Sequence, residues 1–269
     1  AFWLGQIAYD LKRWNKARLY MKEYLALSEL FFSIDPTSSD ALREIFYAHS
    51  SLGALDVGEM NYTAALERFQ QALLLSEQLL TLLPEDAQTL ADHGDTLSWL
   101  RRISLALGDV NQAKNYIKEI ITLLDQPTIL NTQNVQGRVD LAVALHNYAN
   151  ILITEDRAVD ALPLAQRAYE ISNLISNEDP DNTSLQMDRD KHINLLINLQ
   201  GREGIDMSHN LKNILNTLPS LPKSSPDQKE VYIKRLWEFI GLYRRTGDQN
   251  KVKSLANELD REFIELNTG

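Results

Sequence analysis

Five histidines and one dense acidic run are the residues best equipped for chemistry. The histidines are His49, His93, His146, His192 and His209. No two of them fall three or four residues apart, the spacing that sets two imidazoles on one helical face around a metal ion. The run "EDAQTLADHGD" at 85–95 gathers Glu85, Asp86, Asp92, His93 and Asp95, and carboxylates with an imidazole can hold a divalent cation. Its spacing is unlike a calcium-binding loop. The first acids are expected to stabilise a helix N-terminus, and the rest to face water. "GREG" at 201–204 reads as a turn, because a phosphate cradle needs more glycines and a preceding strand. No nucleophile elbow occurs. The chain therefore reads as non-enzymatic, with no catalytic residues, no cofactor and no metal site. Trp3, Trp14, Trp99 and Trp237, with ten tyrosines, could form an aromatic cleft, but in a helical chain they are expected to wedge between helices.

The elements that must carry these residues follow from bulk properties and from a repeat. At 269 residues, 44% hydrophobic and 24% charged, the chain has enough apolar material to fold throughout. No run approaches ~18 uninterrupted apolar residues, and the start lacks the pattern of a signal peptide, so no membrane insertion is expected. Residue 1 is Ala and already reads as mid-helix, so the chain is expected to be a fragment of something longer. The absence of cysteine fits a cytoplasmic protein, with a periplasmic one as the alternative. A net charge of -10 argues against direct binding to nucleic acid, which rewards clustered Lys and Arg.

"LSELFFSIDP" at 27–36 and "LSEQLLTLLP" at 75–84 are nearly the same helix ending, written 48 residues apart. Pro36, Pro84 and Pro180 keep that step, as do Ala17, Ala65, Ala113 and Ala161. Thirteen residues before the alanines stand Leu4, Leu52, Leu100 and Tyr148, with Leu196 next; four residues after them stand Met21, Phe69, Ile117 and Ala165. Apolar residues three and four apart form a stripe along a helix. An alanine in that stripe lets a neighbouring helix come close, and polar or glycine-bearing turns at 57–62, 107–112, 154–159 and 245–250 reverse the chain. Proline then ends the second helix. The units are expected at about 1–33, 34–83, 84–127, 128–178 and 179–219, with 220–269 a C-terminal helical pair capping the same array.

These residues resemble the tetratricopeptide (TPR) repeats, whose unit is a helical hairpin with a leucine–glycine pair, an aromatic after the turn, alanine, a large apolar residue, a second alanine and a closing proline. Residues 49–84 match best, with Leu52, Gly53, Tyr62, Ala65, Phe69, Ala72 and Pro84. The first unit keeps Leu4, Gly5, Trp14, Ala17 and Met21, with Tyr24 for the second alanine; the third keeps Leu100, Gly108 and Ala113, and the fourth Ala149, Ala161 and Ala168. The resemblance implies an all-α, right-handed superhelical α-solenoid of about six antiparallel helix pairs. A unit of ~34 residues is usual, so these hairpins are elongated, a form that looks like the units of large multidomain bacterial signalling and regulatory proteins.

In this family the first helices line a concave surface, and some members hold a peptide's C-terminal carboxylate there with asparagine, lysine and arginine. Carried along the 48-residue step, that implies one row of Ser98, His146 and Asn194 and another of Arg102, Asn150 and Asn198, flanked by Lys191 and Arg202. Amides and cations of this kind can pair with an extended peptide and its terminal carboxylate. The expected function is a non-catalytic scaffold binding a protein or peptide partner, as one module of a longer signalling or regulatory protein. A homo-oligomerisation module is the alternative.

Overall fold

The structure, a computed structural model, describes residues 1–126, 134–204 and 225–268. Among the described residues there are eleven α-helices and no strand. Residues 1–131 form one compact unit and 132–269 a second. The first holds α1 (Phe2–Asp10), α2 (Trp14–Ile34), α3 (Ser39–Gly58), α4 (Tyr62–Leu82), α5 (Ala87–Ala106) and α6 (Val110–Leu124). The second holds α7 (Val135–Thr154), α8 (Ala158–Glu178), α9 (Thr183–Arg202), α10 (Pro226–Thr246) and α11 (Gln249–Thr268). Within the first unit each helix packs on the next in chain order; within the second α7 packs on α8, α8 on α9 and α10 on α11. This is the all-α solenoid implied by the repeat. His209 lies outside the described residues.

Helix starts follow from side-chain caps. Ser38, Asn61, Asp86, Asp109, Asn134, Asn182 and Ser225 each accept a hydrogen bond from a backbone N–H in the first turn of the helix that follows, satisfying donors that have no partner inside the helix. At the Ser225 cap the contact is reciprocal, with Gln228 bonding back to the Ser225 N–H.

The turns inside the hairpins share a backbone device. Lys12, Met60, Gly108, Asp156 and Gly204 all have positive φ, between 54° and 82°, and they stand 48 residues apart. In four of the five turns this residue's N–H bonds back three residues and the next N–H bonds back five, as in Met60 to Val57 and Asn61 to Asp56. That closure satisfies the last helical carbonyls and reverses the chain. Three of the five residues are not glycine, so the turn holds an L-residue in a region that costs about 1–2 kcal/mol.

Packing explains the alanine step. Ala17, Ala65, Ala113 and Ala161 are fully buried. Phe69, 1% exposed, lies against Gly53 of α3, where an added Cβ would come within 2.7 Å of the ring, and it also stacks on Trp99 of α5 at 5.3 Å. One side chain thus joins two successive hairpins. Trp14 meets Tyr9 edge-on at 5.5 Å and wedges as expected. Trp3 and Trp237 do not: they are 75% and 58% exposed.

Candidate functional site

The predicted site residues divide between the two units. Ser98 and Arg102 sit one turn apart on α5 in the first, and the Arg102 guanidinium lies over the Trp99 ring, 4.6 Å from its centre. Such a contact holds the cation while leaving it exposed. The remaining six belong to the second unit. His146 and Asn150 are one turn apart on α7, His146 half-buried and Asn150 exposed. Lys191, Asn194, Asn198 and Arg202 fall three and four residues apart, one stripe along α9. Lys191 pairs with Asp188 at 2.8 Å, and the Arg202 guanidinium is 3.6 Å from Asp156 at the α7–α8 turn. Asn194 and Asn198 are half-buried. The fold thus supplies two first-type helices, α7 and α9, each bearing amides in step. An open groove of about 440 Å³ lies beside them, lined by Val135, Val139, Glu178, Asp179 and Asp188 among others, and none of the eight residues lines it.

What joins α7 to α9 is a histidine pair that spacing within a single helix could not reveal. His146 and His192 lie with ring centres 5.0 Å apart. His192 is 3% exposed, and the Nδ1 atoms of both rings are buried with no hydrogen-bond partner among the described residues. Burial, then the neighbouring His146, pushes His192 down to about 4, despite the opposing pull of Asp188 and its hydrogen bond to the Ala168 backbone. His146 is lowered by burial and by Lys191. Both rings are therefore neutral near pH 7. The cavity beside His192 is about 10 Å³, room for no more than one water, and no three His, Cys, Asp or Glu among the described residues converge as a metal-holding group. No sequence signal pairs these two rings, which lie on different helices at an offset of 46 residues, two short of the repeat step.

The acidic run at 85–95 is corrected in part. Asp86 does cap α5, bonding the Thr89 hydroxyl and N–H and the Arg43 guanidinium, and Thr89 followed by Arg43 holds its carboxyl down to about 2. Asp92 and His93, expected to face water, face neighbours instead. Asp92 is 7% exposed and accepts from the Tyr47 hydroxyl and Gln88, while His93 Nδ1 is 2.8 Å from the Ser76 hydroxyl. Both are parts of the stack between hairpins, which periodicity within one unit does not disclose.

Comparison with solved structures places this arrangement. The chain is similar to BtubC (BKLC) from P. vanneervenii, at 14% identity and a TM-score of 0.60 over 93% of this chain and 91% of that one. It is also similar to a putative kinesin light chain with nearly identical TPR-like repeats from Podosopora anserina, at 13% identity and a TM-score of 0.51 over 87% of this chain and 100% of that one. The fold is that of the TPR-like repeats. No family model matches the sequence, and no curated protein does. Among the described residues no helix is long and apolar enough to cross a membrane.

Proposed function

We propose that the chain is a non-catalytic scaffold, one module of a longer signalling or regulatory protein, that binds an extended peptide segment of a partner protein along α7 and α9. The observation that carries this reading is the stripe of Lys191, Asn194, Asn198 and Arg202 on α9 beside Asn150 on α7. Amides offer a donor and an acceptor to a peptide backbone, and the two cations suit its terminal carboxylate. Ser98 and Arg102 carry similar groups on α5, within the first unit. Lys191 and Arg202 exchange their present carboxylate partners for the ligand's, so little is lost when the peptide arrives.

The test uses peptides with free C-termini selected from a random library against the purified chain. Asn150→Ala with Asn198→Ala is expected to weaken the selected peptide by about thirtyfold, each lost amide contributing on the order of 1 kcal/mol. Amidating the peptide's terminus should weaken it further. Unchanged affinity in both experiments removes this face from the account.

A further inference from the structure

The α7–α9 seam lacks the side chain that fills its counterpart in the first unit. There Arg43 of α3 reaches across to α5, bonding Asp86 at 2.8 Å and Thr89 at 3.0 Å, with Asp92 close enough to add its charge. Two steps of 48 residues turn Arg43 into Val139, Asp86 into Asn182 and Thr89 into Leu185, while Asp92 remains an aspartate, Asp188. The guanidinium is gone and one of its neighbouring carboxylates stays. Two further acids, Glu178 and Asp179, stand where the first unit has Leu82 and Leu83.

The open groove of about 440 Å³ lies at this place. Val135, Val139, Ile175 and Leu185 give it apolar walls, and Asp179 and Asp188 give it negative charge. Glu178 lines it too, but the Arg138 guanidinium balances that charge at 2.6 and 2.9 Å. Asp188, half-buried, is paired with Lys191, whose side chain is 63% exposed, and a pair so open to water contributes little. The groove shares Val139, Ile175, Leu185 and Asp188 with the small cavity against His192. His192, 3% exposed, donates from Nε2 to the Ala168 carbonyl, which leaves its buried Nδ1 an acceptor with no donor among the described residues. Apolar walls, a half-buried carboxylate and an unused acceptor nitrogen suit an aliphatic stem that ends in a cation with several N–H donors. No three His, Asp or Glu among the described residues converge as a metal-holding group, which favours an organic cation. Residues 127–133, which lead into α7, contain no Lys or Arg.

We infer that this groove is an arginine pocket, taking a side chain of the partner peptide with its stem against Val139 and Leu185 and its guanidinium on Asp188, in the place that Arg43 fills in the first unit. The ligand's identity as a peptide rests on the reading above, and the two sites meet at Lys191. When the peptide's terminal carboxylate takes Lys191, Asp188 is released to the guanidinium, whose planar fork matches a carboxylate with two parallel hydrogen bonds. The pocket thereby supplies what the amide stripe lacks, a preference for one side chain over others.

Nα-acetyl-arginine amide, which carries the guanidinium and no carboxylate, is the probe. Titrated into the methyl-labelled full chain and followed by NMR, it is expected to shift the Val139 and Leu185 methyl signals saturably, with a Kd of about 1–10 mM. Nα-acetyl-citrulline amide, of the same shape without the charge, should bind at least about tenfold more weakly, and so should the arginine probe to Asp188→Asn. Val139→Arg restores the side chain of the first unit and should abolish binding, whereas Glu170→Gln, exposed on α8 and outside the groove, should leave it unchanged. The citrulline comparison uses the unaltered chain, so it decides even where a variant unfolds. Absence of saturable shifts up to about 50 mM, the result if a cation of this chain already fills the groove, overturns the proposal. So does equal affinity for the two probes. Lys191→Ala should strengthen the arginine probe by about threefold by freeing Asp188, and a loss instead would place the guanidinium elsewhere and overturn the assignment. The same variant weakens a peptide held by its carboxylate, and the probe has none, so the pocket and the peptide-binding face fail separately.

Discussion

At the same steps of the repeat, α3 meets α5 in the first unit and α7 meets α9 in the second, and the two seams are held by different chemistry. In the first, Arg43 reaches Asp86 at 2.8 Å and Thr89 at 3.0 Å, and Tyr47 donates to Asp92 at 3.0 Å. Moved along by two repeats, those positions become Val139, Asn182, Leu185, Val143 and Asp188. Ser50 and Thr96 become His146 and His192. One seam is bridged by ion pairs and hydroxyls, the other by apolar contact and two neutral imidazoles. The hairpin geometry fixes where side chains meet and leaves open which forces they use, so neighbouring repeats can share a shape and respond differently to acid.

The largest test concerns the side chain that bridges hairpins in the first unit. Phe69→Ala should cost about 3–5 kcal/mol, the range for truncating a buried phenylalanine, read as a shift in the urea midpoint with the slope unchanged. The equivalent residue in the second unit is Ala165, fully buried, where the reverse change Ala165→Phe should destabilise by overpacking, about 1–3 kcal/mol.

Acid sharpens the contrast. His192 has a folded pKa near 4 against about 6.5 unfolded, so the unfolded chain binds more protons between those values. Stability therefore falls as pH drops from about 6.5 to 4, by about 3 kcal/mol at one pKa unit per 1.36 kcal/mol, and His146 adds loss of the same sign. His49 and His93 in the first unit are also lowered by burial, but each stands without a second imidazole against it among the described residues. Replacing the pair with the first unit's residues, His146→Ser with His192→Thr, should flatten most of the dependence in urea melts run from pH 7 to 4. Asp86, held near 2, has the opposite kind of shift. Its contribution is present above about 4 and is lost only as pH falls through 2.

Smaller effects follow from single contacts. Tyr47→Phe deprives buried Asp92 of one of its two donors and should cost about 1–2 kcal/mol by thermal melt. Met60→Gly should stabilise by up to about 1 kcal/mol, since glycine accepts positive φ without the penalty of a side chain, whereas Gly108→Ala at the same turn position should destabilise by a similar amount.

The fold was legible because Ala17, Ala65, Ala113 and Ala161 can keep a 48-residue step only if one close approach between helices recurs. The left-handed turn residues keep the same step and were not legible, since Lys12, Met60, Gly108 and Asp156 share no chemistry and the backbone alone sets their conformation. The amide stripe on α9 could be read from helical spacing. The His146–His192 contact could not, because the rings belong to different helices and their offset of 46 misses the repeat by two. Burial of Asp92 and exposure of Trp3 were hidden for a related reason: each depends on what the adjacent hairpin presents, and a sequence read one hairpin at a time does not show it.

Native-state hydrogen exchange at pH 7 and pH 5, corrected for intrinsic rates and expressed as opening free energies, tests the central contrast most directly. Amides of α7, α8 and α9 are predicted to lose about 2 kcal/mol of protection at pH 5, from 1.5 pKa units of unfavourable imidazole protonation, while α3, α4 and α5 lose distinctly less. Equal losses in both units, or a larger loss in α3 to α5, would contradict it.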